Sequence, residues 1–201
     1  NHLQERVADM MGKEAALFVP SGTMANLAAI LSHCERGEEI IVGDLSHVYL
    51  YEYGGASSLG GIVYRQVETS RNGTLDPKKI EDAIRPLSPR FPKTSLICLE
   101  NSHNRCSGAV LTPGYTESVA DIAHWNGASV HVDGARLFNA AIAQELSPRD
   151  LIGSVDSAMF CFSKGLCCPV GSIIVGQKEF IARAHRFRNT LGGGMRQVGV
   201  L

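Results

Sequence analysis

Lys164 closes the run Ser157-Ala-Met-Phe-Cys-Phe-Ser163. A lysine leaving so apolar a strand is expected to be partly desolvated. Burial penalises the ammonium, lowers its pKa and makes the side chain an amine nucleophile able to form a Schiff base. A solvated loop lysine is the ordinary alternative, and the tight Ser163-Lys164-Gly165 sequence only narrows the gap. The stretch His131-Val-Asp133-Gly-Ala-Arg136 carries complementary groups. Strand alternation puts His131 and Asp133 on one side, and a carboxylate fixed at a strand's last position can hold a proton on the ring nitrogen of a bound heterocycle. Arg136 can fork onto a carboxylate or phosphate. Asp133 and Lys164 are 31 residues apart, about one strand–helix–strand unit, so neighbouring strand ends in one cleft can carry them.

Pro20-Ser21-Gly22-Thr23 ends a short apolar strand and starts a helix at once. Free backbone N–H groups and the positive end of the helix dipole favour an anion there, with the Thr23 hydroxyl as a further donor. An ordinary N-cap by Ser21 is the plain alternative. The stretch matches neither the dinucleotide nor the P-loop glycine fingerprint. His47 and His103 follow two further strands; each imidazole can stack on a flat ring or move a proton near neutral pH, or be a satisfied loop residue. Cys161, Cys167 and Cys168 form no CxxC pair, and adjacent cysteines chelate one ion poorly, so no metal is expected.

These residues need elements to hold them. Helix signals cover His2–Met11, Thr23–Cys34, Tyr49–Leu59, Pro77–Leu87 behind an Asp76 cap, Pro113–Trp125, Leu137–Gln144 and Lys178–Thr190. Strand signals cover Ala15–Val19, Glu39–Val42, Ile62–Val67, Thr94–Leu99, Ser129–Val132, Ala158–Phe162 and Ser172–Val175, with a turn at Asn72-Gly73. Alternating strands and helices with short connections predict an α/β fold: a mainly parallel mixed sheet sandwiched by helices. Ligands of such sheets gather beyond the carboxyl ends of the strands. Five strand ends carry nucleophile, acid or base candidates.

Composition narrows the function classes. A charged share of 19% and a hydrophobic share of 44% exclude disorder, and 19 basic against 20 acidic residues argue against a polyanion-binding surface, so no nucleic acid is expected. No run of about 18 apolar residues is present, so no membrane span is expected. Six unevenly spaced cysteines suggest a reducing compartment, and a cytoplasmic location is the expectation, although the chain carries no signal for it. The start at Asn1, without initiator Met or signal peptide, and the stop at Leu201 after a glycine cluster both read as cuts.

PSGTMAN at 20–26, HVYLYEYGGASSLGG at 47–61, ENSHN at 100–104, HVDGAR at 131–136, SKGLCCPVGS at 163–172 and LGGGMRQ at 191–197 come in an order that resembles the low-specificity L-threonine aldolases. These are pyridoxal-phosphate enzymes of fold type I, in the aspartate aminotransferase superfamily. The resemblance implies that residues 1–201 are the cofactor-binding large domain, without the family's N-terminal segment and C-terminal small domain. It implies retro-aldol cleavage of L-threonine or L-allo-threonine to glycine and acetaldehyde. The alternatives are a catalytically impaired relative that keeps the fold, and another fold-type-I lyase acting on a β-substituted amino acid.

The resemblance also assigns roles. Lys164 would carry the Schiff base with pyridoxal 5'-phosphate, Asp133 would pair with the pyridinium nitrogen, and His47 would stack on the ring. Ser21, Gly22, Thr23 and Ser163 would hold the phosphate. His103 would lie near the substrate's β-hydroxyl, and Arg136 would help to bind its carboxylate. A homo-oligomer, dimer or tetramer, with shared active sites is implied, in which Arg196 serves the neighbouring subunit's phosphate. Cys167-Cys168 stands where the family commonly has Gly-Ala.

Overall fold

A computed structural model of the chain describes residues 2–200. Seven strands form one sheet: β1 (Ala15–Val19), β2 (Glu39–Gly43), β3 (Val63–Val67), β4 (Thr94–Glu100), β5 (Ser129–Asp133), β6 (Ser157–Cys161) and β7 (Ser172–Gly176). Their order is β1-β7-β6-β5-β4-β2-β3, and every pairing is parallel except those of β7 with β1 and β6. The mainly parallel mixed sheet expected from the alternation is therefore present. Strands β2, β4, β6 and β7 are buried along their whole length, which is why they read as continuous apolar runs.

Nine helices flank the sheet among the described residues: α1 (His2–Met11), α2 (Gly22–His33), α3 (His47–Leu50), α4 (Gly55–Gly60), α5 (Pro77–Ala83), α6 (Pro113–Trp125), α7 (Leu137–Gln144), α8 (Pro148–Leu151) and α9 (Lys178–Thr190). Val7 of α1, Ile80 of α5, Val119 of α6 and Leu137 of α7 pack with Val130 and Val132 on one face. On the other, Ala25 and Ala28 of α2 and Ala184 of α9 pack with Met159 and Ile174, and Ile30 of α2 and Ala56 of α4 with Ile40 and Leu96. The chain runs outward from β2 to β3 and then returns to place β4 on the other side of β2. That reversal leaves a crevice beyond the carboxyl ends of the central strands.

Two predicted helices differ from the observed ones. The single helix expected over 49–59 is split, because Tyr53 (φ 56°) and Gly54 (φ 63°) adopt the left-handed conformation and part α3 from α4. The helix expected to reach Leu87 ends at Ala83; Ile84 is extended, and Arg85, which precedes Pro86, is disfavoured in helical geometry. The short α8, closed by a reciprocal capping box between Ser147 and Asp150, was not foreseen.

Candidate active site

Helix α2 begins directly at the edge of the crevice. Ser21 caps it, its hydroxyl accepting from the Met24 N–H at 3.2 Å, so the ordinary capping role is real. It does not preclude anion binding, because the first-turn N–H groups of Gly22 and Thr23 have no intrahelical acceptor. Gly22 is needed for close approach: a Cβ there would lie 3.0 Å from Cys161 Sγ and 3.2 Å from the Met159 methyl on β6.

Ser21, Gly22, Thr23, His47, Asp133, Ser163 and Lys164 line one cleft of about 370 Å³. An adjoining compartment of about 130 Å³ is lined by His47, Glu100, Asp133, Arg136 and Lys164. Asp133 ends β5 and Lys164 follows its neighbour β6, as the spacing predicted. Lys164 itself is exposed, which corrects the expected desolvation. Strand β6 stops at Cys161; beyond it, Lys164 rides on a turn closed by the Cys167 N–H to the Lys164 carbonyl at 3.0 Å.

Asp133 is 3% exposed and held by donors at both oxygens: the Ala135 N–H reaches Oδ1 at 3.0 Å and Asn26 Nδ2 reaches Oδ2 at 2.8 Å. Asn26 also donates to Glu52 Oε1 at 2.8 Å, and the same oxygen lies 3.0 Å from His47 Nδ1. That bond to Glu52 is the main reason the His47 pKa is raised, with Asp133 adding to it against partial burial. Burial raises the Glu52 carboxyl in turn. The Glu100 carboxylate accepts from the His47 backbone N–H at 2.7 Å and from that of Asn104 at 2.8 Å. Burial first, and then Asp133, push Glu100 up to about 7. Ligand atoms of His47, Glu52 and Asp133 fall within 4.8 Å of one another, but Asn26 donates to both carboxylates and His47 pairs with Glu52 in one hydrogen-bonded network.

Two expected residues stand elsewhere. His103 is 2% exposed and lines neither compartment; its Nε2 lies 3.9 Å from Glu100 Oε2, behind that carboxylate. Arg196 lines a separate groove of about 680 Å³ with Phe18, Phe162, Cys168 and Arg188. Arg136 sits in the smaller compartment, its Nη1 3.4 Å from Asn104 Oδ1. Sequence reasoning missed Asn26 and Glu52 and gave Glu100 no role. The available signal was Asn26 itself, an amide on the helix face that also carries Ala25, Ala29 and Ile30 into the core.

No helix among the described residues is long and apolar enough to cross a membrane. A sequence model described as beta-eliminating lyase matches residues 1–201. The chain is 52% identical over 202 residues to low-specificity L-threonine aldolase 1 of Arabidopsis thaliana, covering 99% of this chain and 56% of that protein. It is 46% identical over 201 residues to the low specificity L-threonine aldolase of Escherichia coli K12, covering 100% and 60%. A crystal structure from Listeria monocytogenes EGD-E superposes with a TM-score of 0.86 at 26% identity, covering 98% of this chain and 54% of that one. The chain thus spans about half to three fifths of the length of these relatives. With the match running its full length, the chain belongs to the beta-eliminating lyase family.

Proposed function

We propose that this chain is the cofactor-binding large domain of a pyridoxal-phosphate-dependent lyase that cleaves L-threonine or L-allo-threonine to glycine and acetaldehyde. The observation that carries this reading is the convergence of an acid, an amine, an imidazole and a helix N-terminus on one cleft. The donor set fits the cofactor. Asp133 keeps a free lone pair on each oxygen for a ring N–H, since its two protein donors leave sites open. The start of α2 offers N–H groups to a phosphate, and a Cβ at Gly22 would fill its approach to β6. When bound, pyridoxal phosphate supplies an aldehyde for amines and a protonated ring that withdraws electrons from a bond aligned with it.

The chain's own residues do the rest. Lys164 offers its amine to the aldehyde, and Asp133 keeps the ring nitrogen protonated. His47, tethered to Glu52, would stack on the ring. Ser21, Gly22, Thr23 and Ser163 hold the phosphate. Arg136 binds the substrate carboxylate in the compartment it shares with Glu100 and Lys164. Glu100 takes the hydroxyl proton there, with the buried His103 beside it, Nε2 3.9 Å from Oε2. Arg196, in a groove of its own, serves a second subunit, which supports a homo-oligomer with shared sites. The number and uneven spacing of the six cysteines support a reducing, cytoplasmic location.

The family description favours a second reading, elimination from a β-substituted amino acid. Incubating the protein with pyridoxal phosphate and each threonine diastereomer separates the two. Equal amounts of glycine and acetaldehyde support the aldolase; an α-keto acid and ammonia support elimination. Neither product, from folded protein that binds the cofactor, leaves an impaired relative.

A further inference from the structure

Asn26 is 1% exposed, yet its amide nitrogen and its oxygen are both engaged. Its Nδ2 lies 2.8 Å from Glu52 Oε1 and 2.8 Å from Asp133 Oδ2, and its Oδ1 lies 3.2 Å from His131 Nε2. Behind it the contacts continue from His131 Nδ1 to Ser157 Oγ at 2.8 Å, and from Ser157 Oγ to His33 Nε2 at 2.7 Å. Burial holds both histidines neutral, pushing His131 down to about 3 and His33 to about 4.

A neutral imidazole has one N–H, so the bonds can run in only two directions. With the His131 proton on Nε2, that group donates to Asn26 Oδ1, and both amide hydrogens face carboxylates. Ser157 then donates to His131 Nδ1 and accepts from His33 Nε2–H. With the proton on Nδ1, a bare lone pair faces Asn26. The amide would have to turn its NH2 toward the ring and present its oxygen to Asp133 and Glu52, two acceptors. Only the first direction pairs every donor with an acceptor.

We infer that Asn26 is the positioning residue for Asp133: oriented by His131 and Ser157, its carboxamide donates to Asp133 and to Glu52, fixing one carboxylate at the cleft floor and the other under His47. The inference rests on the proposed role of Asp133 toward the pyridine nitrogen. One amide thereby couples the acid proposed to meet the ring nitrogen to the acid that tethers His47, and among the described residues no other side chain donates to both.

Asn26→Asp tests this because it keeps the shape and removes both hydrogens. Three carboxyl groups then meet, and pyridoxal phosphate binds at least about tenfold more weakly at pH 8, a shift worth one pKa unit. Affinity recovers toward wild type as the pH falls to 6, where the new carboxyl group regains one O–H donor. Asp133 and His131 from β5, Glu52 and His47 from the α3–α4 segment, Glu100 and Cys98 from β4 and Cys161 from β6 surround the site. They titrate in the wild type as well, so the difference between the two proteins isolates position 26. Wild-type affinity with unchanged pH dependence in the variant overturns the proposal.

A second measurement needs no variant and no cofactor. Nitrogen-15 spectra of the histidine rings should show His131 neutral with its proton on Nε2 from pH 5 to 8; a proton on Nδ1 overturns the proposal. A wild-type protein that fails to bind pyridoxal phosphate defeats the functional reading, and the ring spectrum still decides the amide's orientation.

Discussion

Asp133 and Lys164 follow adjacent strands and face one cleft, but their surroundings are opposite. Asp133 is nearly inaccessible, with donors on both oxygens and a relay of four polar side chains behind it. Lys164 is exposed on a turn whose next residues, Gly165, Cys167 and Cys168, are exposed as well. A buried carboxylate needs fixed donors supplied by the fold, so its geometry is built into the core. An ammonium can wait in solvent and lose its water when the cleft fills. The acid half of the site is therefore part of what holds the domain together, and the amine half is not.

Substitutions should expose that asymmetry, the strongest first. Lys164→Ala is expected to abolish the visible absorption band that appears on adding pyridoxal phosphate and to lower turnover on the order of 10³-fold or more. Its melting temperature without cofactor should stay within about 1 °C of wild type, since an exposed side chain contributes little. Asp133→Ala should lower turnover comparably and also destabilise the apo fold by about 1–3 kcal/mol, because Asn26 and the Ala135 N–H lose their acceptor. Equal melting temperatures for the two variants would break the comparison.

Gly22→Ala should come next. Its Cβ would press on Cys161 Sγ and Met159, so overpacking of about 1–3 kcal/mol and weaker cofactor binding are expected together, by thermal melts and titration.

The pH dependence of folding sharpens the picture. Burial pushes His131 and His33 down to about 3 and about 4 in the fold from an ordinary 6.5, so below 6.5 the unfolded chain binds protons that the fold refuses. Each group thus makes stability rise with pH between its folded value and 6.5, by about 1.4 kcal/mol per unit. Glu100 works the other way: its carboxyl, raised from 4.5 to about 7, keeps a proton in the fold that the unfolded chain has released, so its contribution falls across that window. The His103 imidazole, lowered by burial, adds a rising slope and the Glu52 carboxyl, raised by burial, a falling one, so the rising slopes outweigh the falling ones and acid should destabilise the domain. Glu100→Gln should steepen the rise between pH 4.5 and 6.5 in denaturant titrations.

The smallest effect belongs to the exposed turn. Cys167 holds φ at 56°, a left-handed conformation that costs a side chain, so Cys167→Gly should be neutral or stabilising by up to about 1 kcal/mol.

Much of this was legible in the residues. Apolar runs gave the strands because the central ones are buried on both faces, and Asp76, Pro77, Pro113 and Ser21 marked helix starts by local chemistry. Breaks set by backbone conformation were harder: nothing in the Tyr53 side chain announces its left-handed conformation, and only the Gly54-Gly55 pair after it signalled a break. In the site, residues at strand ends could be read from position alone. Asn26 and Glu52 could not, because their meaning is a contact with Asp133 made 107 residues away in the first case, and through Asn26 in the second. The exposure of Lys164 was misread because strand β6 ends at Cys161, three residues short of the amine, although the apolar run goes on to Phe162.

The central claim is that one pyridoxal phosphate spans the gap between Asp133 and the Lys164 amine. Loading the protein with the cofactor, reducing it with borohydride and mapping the modified peptide by mass spectrometry tests this directly. The account predicts a single phosphopyridoxyl group on Lys164, lost in Lys164→Ala. A label on another lysine, or folded protein that takes up none, would contradict it.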